Sequence, residues 1–196
     1  MAGRDGTRLA DKAFATTIAL HERMRGNLGS ALVAAETMSE ALAAGKKLLV
    51  FGNGGSASDA QHMSAELVGR FQRERAALAA IALTTDTSIL TSIANDYSFK
   101  HVFARQIEAL GQPGDVAFGI STSGESPNVV LALQVAKARG LKTIAMTGRD
   151  GGEVGRAADI HVNVPDQSTA RVQEVHRTLI HVMCEIIEER SVSPEP

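Results

Sequence analysis

Five short, mostly apolar runs, each set off from the next by a helical stretch, constrain this chain more than any other feature. They fall at residues 47–51, 79–83, 116–120, 143–147 and 160–164. Unbroken apolarity, as opposed to alternation, marks strands buried on both faces, as in a parallel sheet. Between and around them, helical periodicity is read over residues 10–25, 30–44, 59–70, 87–94 with 99–110, 127–139, a short 153–157 and a long 169–189. Gly45 stands where a helix C-cap glycine belongs. Strands alternating with helices predict an α/β fold, a doubly wound five-stranded parallel sheet flanked by helices. Its expected flavodoxin-like order, 2-1-3-4-5, makes strands one and three neighbours at the switch point, where such folds bind ligands.

At 196 residues the chain fits a single domain, residues 1–196, with an N-terminal helical segment over about residues 1–45. Residues 191–196 carry two prolines and are expected to form a disordered tail. Lys plus Arg number 20 against 22 Asp plus Glu, with no Trp and one Tyr, which excludes the basic, stacking surface of a nucleic-acid binder. The single cysteine, Cys184, excludes an internal disulfide and a Cys-rich zinc site, and it reads as a buried small hydrophobe. Residues 1–9 are polar, and no apolar run reaches the roughly 18 residues of a membrane span, so a cytoplasmic protein with no membrane partner is expected.

Two loops carry anion-binding chemistry. After the first strand comes Gly52-Asn53-Gly54-Gly55-Ser56, running into a helix; after the third comes Ser121-Thr122-Ser123-Gly124-Glu125-Ser126-Pro127, also entering a helix. Glycines let backbone N–H groups approach an anion, and a helix start offers unpaired N–H groups. Hydroxyls suit the oxygens of a phosphate monoester. Each loop alone also reads as an ordinary turn, because Gly and Ser dominate turns. Facing one crevice, the two favour a small phosphorylated metabolite. Neither has the Gly-Lys-Ser/Thr ending of a nucleotide P-loop.

Two polar pairs recur at helical spacing. His62 and Glu66 are four apart on the helix leaving the first loop; Gln173 and His181 are eight apart on the last helix, two turns along the same side. Where those helices meet, two imidazoles and two oxygens could hold a tetrahedral metal, zinc above others. The plainer reading of His62–Glu66 is a solvated surface pair. A Glu and a His near a sugar phosphate also suit acid–base chemistry beside a carbonyl. Asp59 is read as a possible cap of the helix carrying His62, His176 as a support of the site or a packing residue at an interface, and Met63, Met146 and Met183 as core.

Taken as a set, Phe51-Gly52-Asn53-Gly54-Gly55-Ser56, Asp59-Ala60-Gln61-His62 with Glu66, Ala94-Asn95-Asp96-Tyr97, Ser121 to Ser126, and Gln173-Glu174-Val175-His176 with His181 resemble the phosphoheptose isomerases of the sugar isomerase (SIS) domain superfamily. The resemblance runs from about residue 30 to residue 190. It implies a homotetramer with active sites at subunit interfaces, and interconversion of D-sedoheptulose 7-phosphate and D-glycero-D-manno-heptose 7-phosphate, the first step towards nucleotide-activated heptose. It assigns one Zn2+ per subunit to His62, Glu66, Gln173 and His181. Substrate contacts fall to Asn53, Gly54, Gly55, Ser56, Glu66, Asn95, Asp96, Ser121, Thr122, Ser123, Ser126 and Gln173. Glu66 is then the base and His181 its acid–base partner. The alternative within the superfamily is a non-catalytic SIS protein that binds the replication initiator. The presence of both Glu66 and His181 argues for the enzyme, since a binding module needs no acid–base pair.

Overall fold

In the computed structural model, which describes residues 2–191, the five runs are the five strands of one parallel sheet: β1 (Leu48–Gly52), β2 (Ala80–Ala82), β3 (Val116–Ser121), β4 (Lys142–Gly148) and β5 (Ile160–Val164). Their order is β2-β1-β3-β4-β5, with every neighbouring pair parallel. Among the described residues the eight helices are α1 (Ala2–Arg25), α2 (Gly29–Ala43), α3 (Gly55–Val68), α4 (Thr87–Asp96), α5 (Ala104–Leu110), α6 (Pro127–Ala138), α7 (Gly152–Ala157) and α8 (Thr169–Ser191), with one 3-10 turn at Phe99–His101. Residues 192–196, most of the expected tail, lie outside the described residues; Ser191 is still helical.

The unbroken apolar runs are explained by two cores. Successive side chains of a strand point to opposite faces. Leu48 and Val50 of β1 enter one core with Met63, Met146, Met183 and Cys184; Leu49 and Phe51 enter the other with Phe103, Ile107 and Leu133. Helices α1, α2, α3 and α8 contribute to the first core, and α4 to α7 to the second. Fully burying a side chain such as Phe51 is worth about 2–3 kcal/mol. Burial also pushes the Cys184 thiol up to about 12, so it stays an uncharged apolar filler.

Two helix starts differ from expectation. The first helix starts at Ala2, well before residue 10. The chain turns into α3 at Gly55, four residues before the expected start at 59, because Gly54 takes a positive φ of 55° and closes the turn at once. Ser56 therefore lies in the first helical turn. Asp59 lies in the second and does not cap the helix. At the end of α2 the reading holds: Gly45 has φ 71°, its N–H donates to Leu42 O, and Lys46 N–H donates to Ala41 O. Among the described residues, no helix is long and apolar enough to cross a membrane.

Candidate active site

β1 and β3 pair side by side, with Gly52 level with Ile120, so the two glycine- and hydroxyl-bearing loops leave adjacent strand ends. They are tied together by a reciprocal amide pair: Asn53 Nδ2 donates to Asn128 Oδ1, and Asn128 Nδ2 donates to Asn53 Oδ1, both at 2.9 Å. In the second loop the Ser121 hydroxyl lies 2.9 Å from that of Ser126 and 3.3 Å from that of Ser123, while Glu125 N–H donates to Ser123 Oγ at 3.2 Å. Ser126 occupies the N-cap position of α6, yet its hydroxyl turns into the loop without capping the helix. Pro127 begins that helix, as its fixed φ suits. Three hydroxyls thus converge between two strand ends. Gly124, at φ 71°, lets the loop lie against Gly151 and Gly152 of the β4–α7 turn.

The helices α3 and α8 pack side by side on one face of the sheet and run in the same direction. Gln173 lies against Gly55 at the top of α3: a Cβ at Gly55 would fall 2.8 Å from Gln173 Cδ, so the glycine makes room for this amide. One level down, His181 meets His62, their Nε2 atoms 2.7 Å apart and ring centroids 5.0 Å apart. Glu66 Oε1 lies 3.3 Å from His62 Nε2. Each of His62, Glu66 and His181 offers one ligand atom, all within 4.8 Å of one another, in a half-buried setting. Donors around a tetrahedral zinc sit about 3.3 Å apart, given Zn–N bonds near 2.0–2.1 Å. Two imidazole nitrogens, one carboxylate and side chains still open to solvent fit such an ion with room for a further ligand. Burial, reinforced by the Arg177 charge, lowers the His62 pKa and favours the neutral ring that ligates metals. Gln173 sits eight residues before His181, about 12 Å along the helix axis.

Asp59 contributes a buried carboxylate between these levels. Its Oδ1 pairs with Arg177 at 2.6 Å, and its Oδ2 is buried without a hydrogen-bond partner. Burial outweighs the guanidinium and raises the Asp59 pKa. A cleft of about 650 Å³ opens beside this pair and is lined by Gly55, Ser58, Gln173 and Arg177 among others. His176 is fully buried and anchors α8 to the sheet, its Nε2–H donating to Thr147 O at 3.0 Å; burial lowers its pKa to about 4, so it stays neutral. Asn95 and Asp96 end α4 on the opposite face of the sheet, exposed and hydrogen-bonded to each other at 2.8 Å.

Sequence reasoning missed several neighbours of the cluster. Phe71 stacks on His181 with ring centroids 5.6 Å apart, and Arg75 and Glu188 form a charge pair with both side chains only 3% exposed. Glu188 carried a readable signal: seven residues after His181 it falls on the buried stripe of α8, and a buried acid demands a partner. Phe71 and Arg75, in an irregular segment, carried none.

The SIS domain family matches residues 14–148 of the chain. A phosphoheptose isomerase of Geotalea daltonii is 56% identical over 175 residues, covering 87% of this chain and 91% of that protein. The structure of a phosphoheptose isomerase from Neisseria gonorrhoeae is similar with a TM-score of 0.89 at 46% identity, covering 93% of this chain and 98% of that one. One from Francisella tularensis has a TM-score of 0.91 at 35% identity, covering 94% and 98%. A doubly wound sheet with this crevice is thus that of a SIS-domain protein. Within that class, the chain belongs to the phosphoheptose isomerase family.

Proposed function

We propose that the protein interconverts D-sedoheptulose 7-phosphate and D-glycero-D-manno-heptose 7-phosphate. The observation that carries this reading is the convergence of His62, Glu66 and His181 on α3 and α8, in a chain more than half identical to proteins named for that isomerase activity. The hydroxyls of Ser121, Ser123 and Ser126, Thr122, and the N–H groups of Gly54 and Gly55 would hold the phosphate; Ser56, expected there too, is buried and its N–H donates to Asn53 O at 3.0 Å. Asn53 and Gln173 would orient the carbon chain; Asn95 and Asp96, at the end of α4 on the other face of the sheet, would do so only for a site shared between subunits.

Isomerisation moves one proton between carbons and one between oxygens. The Glu66 carboxylate takes the proton from C1, and the C–H electron pair becomes the C1=C2 bond. The C2 carbonyl oxygen takes a proton from the Nδ1–H of His181, whose Nε2 faces His62, giving the enediol. Glu66, now a carboxylic acid, returns its proton to C2 while His181 removes the proton from O1, which leaves the C1 aldehyde. Glu66 has two oxygens for two tasks: Oε1 faces His62, and the other remains for the substrate proton. His62, Glu66 and His181 would hold one Zn2+ per subunit; Gln173, the fourth ligand implied by the family resemblance, lies against Gly55, about 12 Å along α8 from His181, and stands apart from the trio. When bound, the ion supplies Lewis-acid polarisation of the carbonyl.

Assembly as a homotetramer with interface sites is part of the same reading. Its support is apolar exposure at Phe14 and Ile18, one turn apart on α1 and 71% and 57% exposed, with half-exposed Leu32 and Val33 on α2. The acid–base pair also favours an enzyme over a SIS protein that only binds a partner. The test is NMR of zinc-loaded protein mixed with sedoheptulose 7-phosphate, beside Glu66→Gln. New anomeric signals of an aldoheptose 7-phosphate, lost in the variant, are expected; no turnover by folded, zinc-replete protein sinks the assignment.

A further inference from the structure

The segment between α3 and β2, residues 69–79, has no helix or strand, yet it is held by some of the most buried charges in the protein. Glu188 of α8 is 2% exposed, and its carboxylate accepts three successive backbone N–H groups, from Phe71 at 2.9 Å, Gln72 at 2.8 Å and Arg73 at 2.9 Å. Arg75 Nε lies 3.3 Å from Glu188 Oε1. The same guanidinium donates to the carbonyls of Glu66 at 2.8 Å, Leu67 at 2.9 Å, Ala76 at 3.0 Å and Gly69 at 3.4 Å. It therefore ties off backbone oxygens that the end of α3 leaves unpaired, including that of Glu66 itself. A carboxylate from one helix folds the segment, and a guanidinium within the segment clamps the end of the other.

The first aromatic that this fold delivers is Phe71. Its ring lies on His181 at 5.6 Å and 37°, while His62 meets the same imidazole at 5.0 Å and 54°. His181 thus contacts one ring that can ligate and one that cannot. Phe71 offers no hydrogen bond, so it restricts the imidazole's tilt without competing for Nε2. A buried ion pair is a poor stabiliser, because desolvation offsets most of its attraction and apolar residues of similar volume often serve as well. Its placement fits a demand for geometry better than a demand for stability.

We infer that Arg75, Glu188 and Phe71 are positioning residues of the reaction: the Arg75–Glu188 pair holds Phe71 as the wall that sets the His181 ring, and fixes the last turn of α3 from which Glu66 projects. The inference rests on the proposed role of the His62–Glu66–His181 cluster. Outer contacts of this kind commonly change metal affinity or activity 10–100-fold when lost.

The test compares Phe71→Leu, which keeps apolar bulk but loses the ring, with Phe71→Tyr, which keeps it. Phe71 is only half-buried, so both variants should fold; Glu188→Gln is measured alongside them, and the Phe71 pair decides the question without it. Three quantities are measured: zinc Kd by calorimetric titration, the nitrogen-coupled imidazole spectrum of the zinc-free protein, and kcat and KM for sedoheptulose 7-phosphate. For Phe71→Leu the expected outcome is a zinc Kd weaker by about tenfold or more. The His181 ring signals should shift, and kcat should fall by a similar factor with KM changed less than twofold. Phe71→Tyr should restore all three. An unchanged zinc Kd and unchanged His181 signals in Phe71→Leu overturn the inference, as does failure of Phe71→Tyr to rescue. If the wild type does not isomerise this substrate, the first two measurements still decide the positioning role separately from the activity.

Discussion

Gly45 and Gly124 share one backbone conformation, φ 71°, and differ in what surrounds them, so replacing each with alanine separates backbone strain from crowding. A Cβ at Gly45 meets nothing within 4 Å. A Cβ at Gly124 falls 2.5 Å from the Gly151 carbonyl carbon and 2.8 Å from Gly152 N, both backbone atoms. Left-handed conformation costs an alanine roughly 1 kcal/mol, and both variants bear that. Ordinary contact begins at 3.4 Å, so Gly124→Ala must also push the serine loop and the Gly151 turn apart by about 1 Å. A displacement of that size in groups that position a substrate costs about 100-fold in rate. Gly45→Ala should therefore lower Tm by roughly 2–4 °C, the effect of about 1 kcal/mol in a chain of this size, and leave kcat/KM for sedoheptulose 7-phosphate within twofold. Gly124→Ala should lower kcat/KM by about 100-fold and weaken inhibition by inorganic phosphate. The measurements are thermal unfolding by circular dichroism and turnover by NMR. Equal, small losses of activity in the two variants would refute this reasoning, because the second loop would then not be the anchor.

Three other outcomes are expected. Asp115 accepts from Lys47 Nζ at 2.6 Å, Lys47 N at 3.1 Å and Gln112 N at 2.9 Å; burial alone would raise its pKa, but these bonds and the lysine charge hold it below the ordinary carboxylate value. A depressed carboxylate stabilises above its unfolded pKa and loses that stability as pH falls through the folded value. Asp115→Asn should thus be less stable by about 2–3 kcal/mol near neutral pH, with the gap closing only below about pH 4, as read by urea unfolding at several pH values. Chelation should abolish turnover and leave the far-ultraviolet spectrum unchanged, since α3 and α8 are held by their own core; zinc at 100 times its Kd should add about 2.7 kcal/mol of stability, and no Tm response to zinc would count against the metal site. Phe14→Glu, at an exposed aromatic of α1, should convert the proposed tetramer to smaller species in light scattering and lose activity with it; an unchanged mass would remove α1 from the proposed interface.

The sheet was legible because strands buried on both faces are mostly apolar, as β1 and β3 are throughout their buried length, and two cores are a pattern one chain can display. The crevice was legible because 2-1-3-4-5 order makes neighbours of two loops with matching chemistry. The start of α3 was misplaced because Gly55-Ser56-Ala57-Ser58 has the composition of a loop, while the turn is closed earlier by Gly54. Asp59 was misread for the same reason, and its partner Arg177 lies 118 residues away, beyond any local rule. His62 with Glu66 could be paired by helical spacing, but that His181 completes the trio depends on how α3 and α8 are aligned. Phe71 and Arg75 are placed by an irregular segment whose shape comes from Glu188, so no periodicity announces them.

The like orientation of α3 and α8 has an electrostatic consequence. A helix carries about half a positive charge at its amino end, and the amino ends of both point to the rim of the crevice: α3 starts from the first loop, and Val172 in the first turn of α8 abuts Gly148, beside Thr122 of the second. The rim thus gathers close to one full positive charge in a chain whose formal charge is −2. An incoming dianion is drawn by that local field and not by the net charge, so its capture should slow as ionic strength rises and the screening length shrinks.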